Sequence, residues 1–205
     1  TQIDTDLFTL GTGLGNGTFT NTPDNTGADW AHSKCFYSDA STGKTAFAVD
    51  TVVDADVFTD AFLRGCIQEL DDADVPMDNR YLIVPPSLKN TVMGIERYVS
   101  SDFGGPKSVA SGQFGEVYGI PVYCSTNCPV IEADAQGNAG LTSDVRGAFL
   151  FHRDAFIFAE QQSIRSQVQY KQEWLGTLYT ADTIYGIKTF RPEAGVVMAL
   201  PNAVS

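Results

Sequence analysis

The apolar residues of this 205-residue chain come in short runs that end at proline, glycine or charge, so each run can form only a strand or one face of a helix. RYLIV at 80–84 stops at Pro85 and Pro86, and IPVYC at 120–124 runs into a loop rich in Gly, Asp and Asn. AFLFHRDAFIFA at 148–159 is two apolar runs split by His152, Arg153 and Asp154. Next, Ile164, Ser166, Val168 and Tyr170 alternate with Arg165, Gln167, Gln169 and Lys171, the two-residue period of a strand that buries one face. CFYSDASTGKTAFAV at 35–49 reads as two short strands joined by a turn at Ser41, Thr42 and Gly43. No run approaches the ~20 apolar residues that a membrane-spanning helix needs.

Helical spacing interrupts these strands. Asp54 is the expected N-cap of a helix whose stripe is Phe58, Phe62, Cys66 and Ile67 or Leu70, with Pro76 beyond its end. At ~1.5–3 kcal/mol per buried large side chain, that stripe outweighs the ~1 kcal/mol cost of Gly65 inside the helix, and Gly65 marks a close packing contact. A second helix is started by the proline pair and carries Leu88, Val92, Ile95 and Val99. Trp174, Leu175, Leu178, Ala181 and Tyr185 predict a third helix that ends at Gly186, before IKTF, the turn RPEAG and the strand GVVMAL. Residues 11–29, where thirteen of nineteen are Gly, Thr or Asn, predict a long surface loop, and 104–119 predict a mobile one. Irregular alternation with hairpin-like neighbours predicts an α+β fold on a largely antiparallel sheet.

The net charge is −12, and all of the excess lies upstream: residues 1–140 hold 7 basic and 19 acidic groups, residues 141–205 hold 6 of each. Nine acids and the single base Arg64 fall between Asp50 and Asp78, which makes the outer face of the first helix negative. Non-specific binding to nucleic acid draws its strength from clustered cations, and no such cluster occurs. Acidic charge suits a protein that stays soluble at high concentration or lies near packed DNA without adhering to it. Cys35, Cys66, Cys124 and Cys128 read as free thiols in a reducing compartment, because a core of this size needs no staples. The sequence opens on Thr1 with no basic or apolar leader character, so a signal peptide is not expected and a fragment of a longer chain is.

Motifs that carry chemistry are partial. Gly43, Lys44 and Thr45 match the end of a phosphate-binding loop, but Ser38 stands where its first glycine belongs, Asp39 would repel phosphate, and a strand follows where a helix is needed. Gly11, Gly13, Gly15 and Gly17 have no strand before them and no helix after. His32 and Cys35 with Cys124 and Cys128 make a Cys3His zinc set of unusual spacing. His152 beside Asp154 resembles a base with an orienting carboxylate, yet no nucleophile elbow is present, and a polar strand junction explains the pair better. Asp71 and Asp72 lack a calcium-loop pattern. No catalytic, cofactor-binding or metal residue is assigned, and no cofactor is expected.

Four blocks in order carry a resemblance: an acidic helix running into DVPMDNRYLIVPPSL, then GQFGEVYGIPVYCSTNCP, then GAFLFHRDAF, and finally YGIKTFRPEAGVVMAL. Together they cover about residues 50–200 and resemble the C-terminal portion of a tailed-bacteriophage major capsid protein. The resemblance implies an α+β fold with an axial domain and a peripheral domain built on a spine helix and an antiparallel sheet. Residues 1–79 would be a partial peripheral domain with glycine-rich loop, hairpin and spine-like helix, 80–155 the axial domain, and 156–205 a return to the peripheral domain. The family's N-terminal arm and long extended hairpin have no counterpart here, since only some fifty residues precede the first helix.

The implied function is structural and non-enzymatic. Copies of the chain would form pentamers and hexamers, close into an icosahedral virion shell in the host bacterial cytoplasm, and enclose double-stranded DNA without sequence-specific binding. Scaffolding, portal and cement proteins would be the other partners, and no membrane is involved. Flexible glycine-rich loops would absorb differences between quasi-equivalent neighbours. The alternatives are a bacterial nanocompartment shell and, from another class, a small-molecule or nucleotide-binding enzyme using Lys44 or His152.

Overall fold

A computed structural model describes residues 34–39, 41–47, 52–95, 115–131 and 144–201, together with residue 7. The expected loop at 11–29, residues 104–114 of the loop expected at 104–119, Val99 and His32 lie outside the described residues, while Glu116–Val117 within that second loop form a short strand.

The apolar runs form one mixed sheet. Its strands are β1 (Cys35–Tyr37), β2 (Thr45–Ala46), β3 (Arg80–Val84), β4 (Glu116–Val117), β5 (Ile120–Cys124), β6 (Val130–Ile131), β7 (Val145–His152) and β10 (Gly195–Pro201). They lie in the order β2-β1-β10-β7-β3-β5-β4, with β6 added beside β7. Only β1–β10 and β3–β5 pair in parallel, and the other pairs are antiparallel. The α+β expectation therefore holds. Strands from 35–46, 80–152 and 195–201 all share this sheet.

β10 is buried along its whole length, and the longest register in the sheet matches it to β7 from Gly195↔Phe151 to Pro201↔Val145. A strand covered on both faces needs apolar residues at every position, and that is why GVVMAL does not alternate. α1 (Asp60–Asp72) lies against β10 and buries Phe62, Leu63, Cys66 and Leu70. Its N-cap is Thr59, whose hydroxyl accepts from the Phe62 N–H at 3.2 Å. The expected cap, Asp54, falls five residues too early, because Asp56 N–H closes a turn onto Val53 O and its carboxylate accepts from the Val53 N–H, keeping this stretch out of the helix. α2 (Pro86–Met93) begins at the proline pair as expected.

Turn chemistry fixes the hairpins. Asp39 accepts from the Ser41 hydroxyl, the Ser41 N–H and the Thr42 N–H, which holds its carboxyl down at about 2, and Gly43 takes φ 87°. Tyr118 and Gly119 join β4 to β5 with positive φ at both positions, the twist that suits a two-residue hairpin loop.

The predicted third helix is absent. Residues 176–189 form β9 (Gly176–Thr189), paired antiparallel with β8 (Phe156–Lys171), and IKTF runs into its end instead of forming a separate strand. The helical spacing of Leu178, Ala181 and Tyr185 is incidental, since Thr177, Tyr179, Thr180, Thr183, Ile184 and Thr189 favour a pleated surface and β8 supplies a ladder along the whole segment.

Candidate assembly surface

β8 and β9 make a two-stranded sheet of their own, separate from the main one. Short 3-10 turns at Arg153–Ala155 and Pro192–Ala194 connect it to β7 and β10, with Ala155 and Ala194 buried at its root. A lone hairpin is marginal in water, and here most residues beyond the root are exposed and none is buried.

The register sorts the ribbon into two faces. Directly paired residues point to the same side, and successive residues alternate. Along β9, Thr177, Tyr179, Ala181, Thr183, Tyr185 and Ile187 share one side, opposite Tyr170, Val168, Ser166, Glu160 and Phe158 of β8. Register shifts between Glu160, Gln162 and Arg165 add two residues to β8, so its even-numbered residues return to the same side after the bulges. This apolar face is open: Val168 is 65% exposed, Tyr170 58%, Tyr179 66% and Phe158 48%. Phe158 stacks on Tyr185 with ring centroids 6.1 Å apart.

The other face is polar at the bulges. Arg165 pairs with Asp182 at 2.9 Å, and the Gln162 amide donates to the same carboxylate at 3.2 Å. Ile157, Leu178 and Ile184 also lie on this side, set among Gln167, Gln169, Lys171, Thr180 and Lys188. At the tip, Trp174 is 84% exposed and Leu175, in the left-handed region at φ 47°, is 83% exposed. A shallow concavity there is lined by Lys171, Trp174, Gly176, Thr177 and Leu178.

The residues considered for chemistry serve the fold. The Lys44 ammonium bonds to the Glu69 carboxylate, donates to Gly65 O at 3.3 Å and lies 4.6 Å from the centre of the Phe36 ring. Lys34 reaches the same carboxylate at 3.0 Å. Burial raises the Glu69 carboxyl, but the hydrogen bonds and charges of Lys44 and Lys34 outweigh it and hold the group below its ordinary value. An ammonium so engaged tethers a hairpin to a helix. His152 is buried, and its Nδ1 accepts from the Asp154 N–H at 3.1 Å, capping the 3-10 turn at the ribbon root. The Asp154 carboxylate is 3.6 Å from Nδ1, beyond hydrogen-bond reach.

The cysteines weighed as zinc ligands are not brought together. Cys35 is in β1 and Cys124 ends β5, with β10, β7 and β3 between them, a separation of roughly 19 Å at the usual strand spacing. Among the described residues no group of three or more His, Cys, Asp or Glu is placed to hold a metal. All four cysteines are free thiols, and burial pushes those of Cys35 and Cys66 well up and that of Cys128 up to about 12. Asp71, considered for calcium, instead holds Arg80 at 2.7 Å. No described helix is long and apolar enough to cross a membrane.

Sequence reasoning missed Arg80, a buried guanidinium whose Nε donates to Pro76 O at 2.8 Å and whose terminal nitrogen donates to Val75 O at 2.6 Å. It also missed the ribbon as a projecting surface, although the alternation at 164–171 was visible. That pattern called for a buried face, and in the isolated chain the face is bare.

Similar solved structures come from bacteriophages and cyanophages. The capsid asymmetric unit of cyanophage Pam1 matches with a TM-score of 0.65 at 14% identity, over 100% of this chain and 66% of that one. The capsid of Ralstonia phage GP4 gives 0.63 at 14% identity, over 98% and 63%. A chain of Mycobacterium phage Che8 gives 0.61 at 18% identity, over 96% and 57%, so the present chain spans a little over half of that protein's length. Comparison with curated proteins by sequence finds no match. The fold is thus the α+β capsid fold. A family model described as phage capsid protein matches residues 20–199, and the chain belongs to that family.

Proposed function

We propose that this protein is a major capsid subunit that assembles with copies of itself, as pentamers and hexamers, into an icosahedral shell around double-stranded DNA. The observation that carries the reading is the β8–β9 ribbon: a phage capsid family member exposes Phe158, Val168, Tyr170 and Tyr179 on the same side of a projecting two-stranded ribbon. Bare strand edges and apolar faces of this length invite other chains, and a shell subunit is surrounded by its own copies. Many contacts near ~1,600 Å² each make such a shell cooperative.

The place of action is the virion, with assembly in the host bacterial cytoplasm alongside scaffolding, portal and cement proteins. The role is structural and not enzymatic, which agrees with the engagement of Lys44 and His152 in structural bonds. Acidic charge limits adhesion of the wall to the genome. The division into a partial peripheral domain at 1–79, an axial domain at 80–155 and a peripheral return at 156–205 remains a proposal, and it must accommodate one sheet drawn from all three stretches.

Negative-stain electron microscopy of the purified protein tests the reading. Closed particles tens of nanometres across are expected. A field without particles under every assembly condition, together with turnover abolished by Lys44→Ala or His152→Ala, would replace the container with a catalyst.

A further inference from the structure

The ribbon is fastened to the body through a titratable ring. An amide N–H can only donate, so the bond from Asp154 N–H to His152 Nδ1 at 3.1 Å exists only while Nδ1 carries no proton, and the ring's hydrogen then sits on Nε2. That bond caps the 3-10 turn Arg153–Ala155, through which β7 passes into β8. The residues on either side have backbone partners: Arg153 N–H donates to Asn79 O at 3.0 Å, and Ala155 O accepts from Phe190 N–H at 2.8 Å. Asp154, between them, is held through the imidazole.

Acid offers this corner a second arrangement. Imidazoles as a class change charge between about pH 5 and 8, and a proton on Nδ1 turns the acceptor into a donor. The Asp154 carboxylate already stands 3.6 Å from Nδ1 and is 57% exposed, so a small rotation closes it on the new N–H, while the Asp154 N–H loses its acceptor. The other charged groups around the corner are engaged or face water. Arg80 lies directly opposite His152 in the β3–β7 register, on the same side of the sheet, with its guanidinium given to Asp71, Val75 O and Pro76 O. Arg191 and Glu193, on the 3-10 turn that packs against this one, pair with each other at 3.0 Å. Arg153 is exposed. A buried imidazolium beside Arg80 needs a counter-charge, and the carboxylate placed next to Nδ1 is that of Asp154.

We propose that His152 is an acid-released cap: its unprotonated ring fixes the turn from which the β8–β9 ribbon projects, and protonation exchanges the backbone bond for a pair with the Asp154 carboxylate and loosens the ribbon root. These contacts lie within one chain, so the device operates whether or not the chain builds a shell.

Hydrogen exchange read by mass spectrometry tests this in free subunits and in particles alike. Exchange at the histidine C2 position follows the charge of the His152 ring, and backbone exchange of the peptide spanning 152–158, expressed as protection factors, follows the turn. Between pH 8 and pH 5 the turn should lose protection about tenfold, the size of one lost cap, with the same midpoint as the ring. His152→Asn keeps a side-chain oxygen that accepts from the Asp154 N–H and does not titrate, so its turn should stay protected throughout. Asp154→Asn keeps the N–H but removes the counter-charge, so loosening should require more acid than in the parent.

Protection that is flat while the ring titrates, a ring that takes up no proton down to pH 5, a parent-like pH dependence in His152→Asn, or an unmoved midpoint in Asp154→Asn overturns the proposal. Should His152→Asn not fold, the shared or separate midpoints of ring and turn in the parent decide the matter alone.

Discussion

Arg165 of β8 grips Asp182 of β9 through two bonds, from Nε at 3.3 Å and from a terminal nitrogen at 2.9 Å, across the ribbon where the register slips. The fork lies on the face opposite Val168 and Tyr179, so it fixes the bend of the ribbon without occupying its apolar side. Both side chains are partly exposed, and pairs of this kind contribute less than about 1 kcal/mol to global stability. Arg165→Ala should accordingly leave the melting temperature nearly unchanged. Amide exchange across residues 165–182 should accelerate, because the ribbon's ladder has few buried contacts to back it. Unchanged protection there would mean that the pair does not hold the bulges.

Arg80 presents the opposite case. Its guanidinium is 3% exposed and satisfies Val75 O, Pro76 O and Asp71 at once, clamping the end of α1 to the start of β3. Arg80→Ala orphans two carbonyls and one carboxylate, and should lower the unfolding free energy by about 3 kcal/mol in urea titrations. Lysine cannot supply the planar fork, so Arg80→Lys should recover only part of the loss.

Acid should weaken the tether between the β1–β2 hairpin and α1. The Glu69 carboxyl is held below its ordinary 4.5 by Lys44 and Lys34. A group depressed in the folded state adds stability in full above its unfolded value and loses it as pH falls through the folded one. Stability should therefore decline as the pH drops below about 4.5. Glu69→Gln should be less stable at neutral pH and decline less steeply in that window. Parallel pH profiles for the two proteins would refute this role.

Gly65 and Lys44 should be energetically coupled. A Cβ at position 65 would lie 3.1 Å from Lys44 Cδ, so the glycine makes room for the lysine stem on its way to Glu69. Gly65→Ala gains ~1 kcal/mol of helix propensity but crowds that stem, and should be close to neutral. In a Lys44→Ala background the same change should stabilise by about 1 kcal/mol, and a double-mutant cycle reads the difference. Additive effects would show that the contact carries no weight.

Legibility in the sequence followed how local each cause was. RYLIV, IPVYC and GVVMAL announced their strands, and Pro85 and Pro86 announced α2, because proline and unbroken apolar runs act within a few residues. Asp54 failed as a cap because Asp56, two residues on, bonds its own turn. β9 was misread as a helix because its ladder partner lies across a turn and periodicity alone cannot register that pairing. The site was half legible: alternation at 164–171 identified a face meant for burial, but nothing local says what covers it. Arg80 gave no signal, since its three acceptors come together only after α1 turns back onto β3.

The central claim is that this acidic chain is a shell subunit that associates with copies of itself. Sedimentation velocity of the purified protein from low to high ionic strength tests it directly. Screening shortens the reach of the −12 charge, so association should strengthen as salt rises and proceed to closed particles. A monomer at every ionic strength, or oligomers that dissolve as salt is added, would contradict the account.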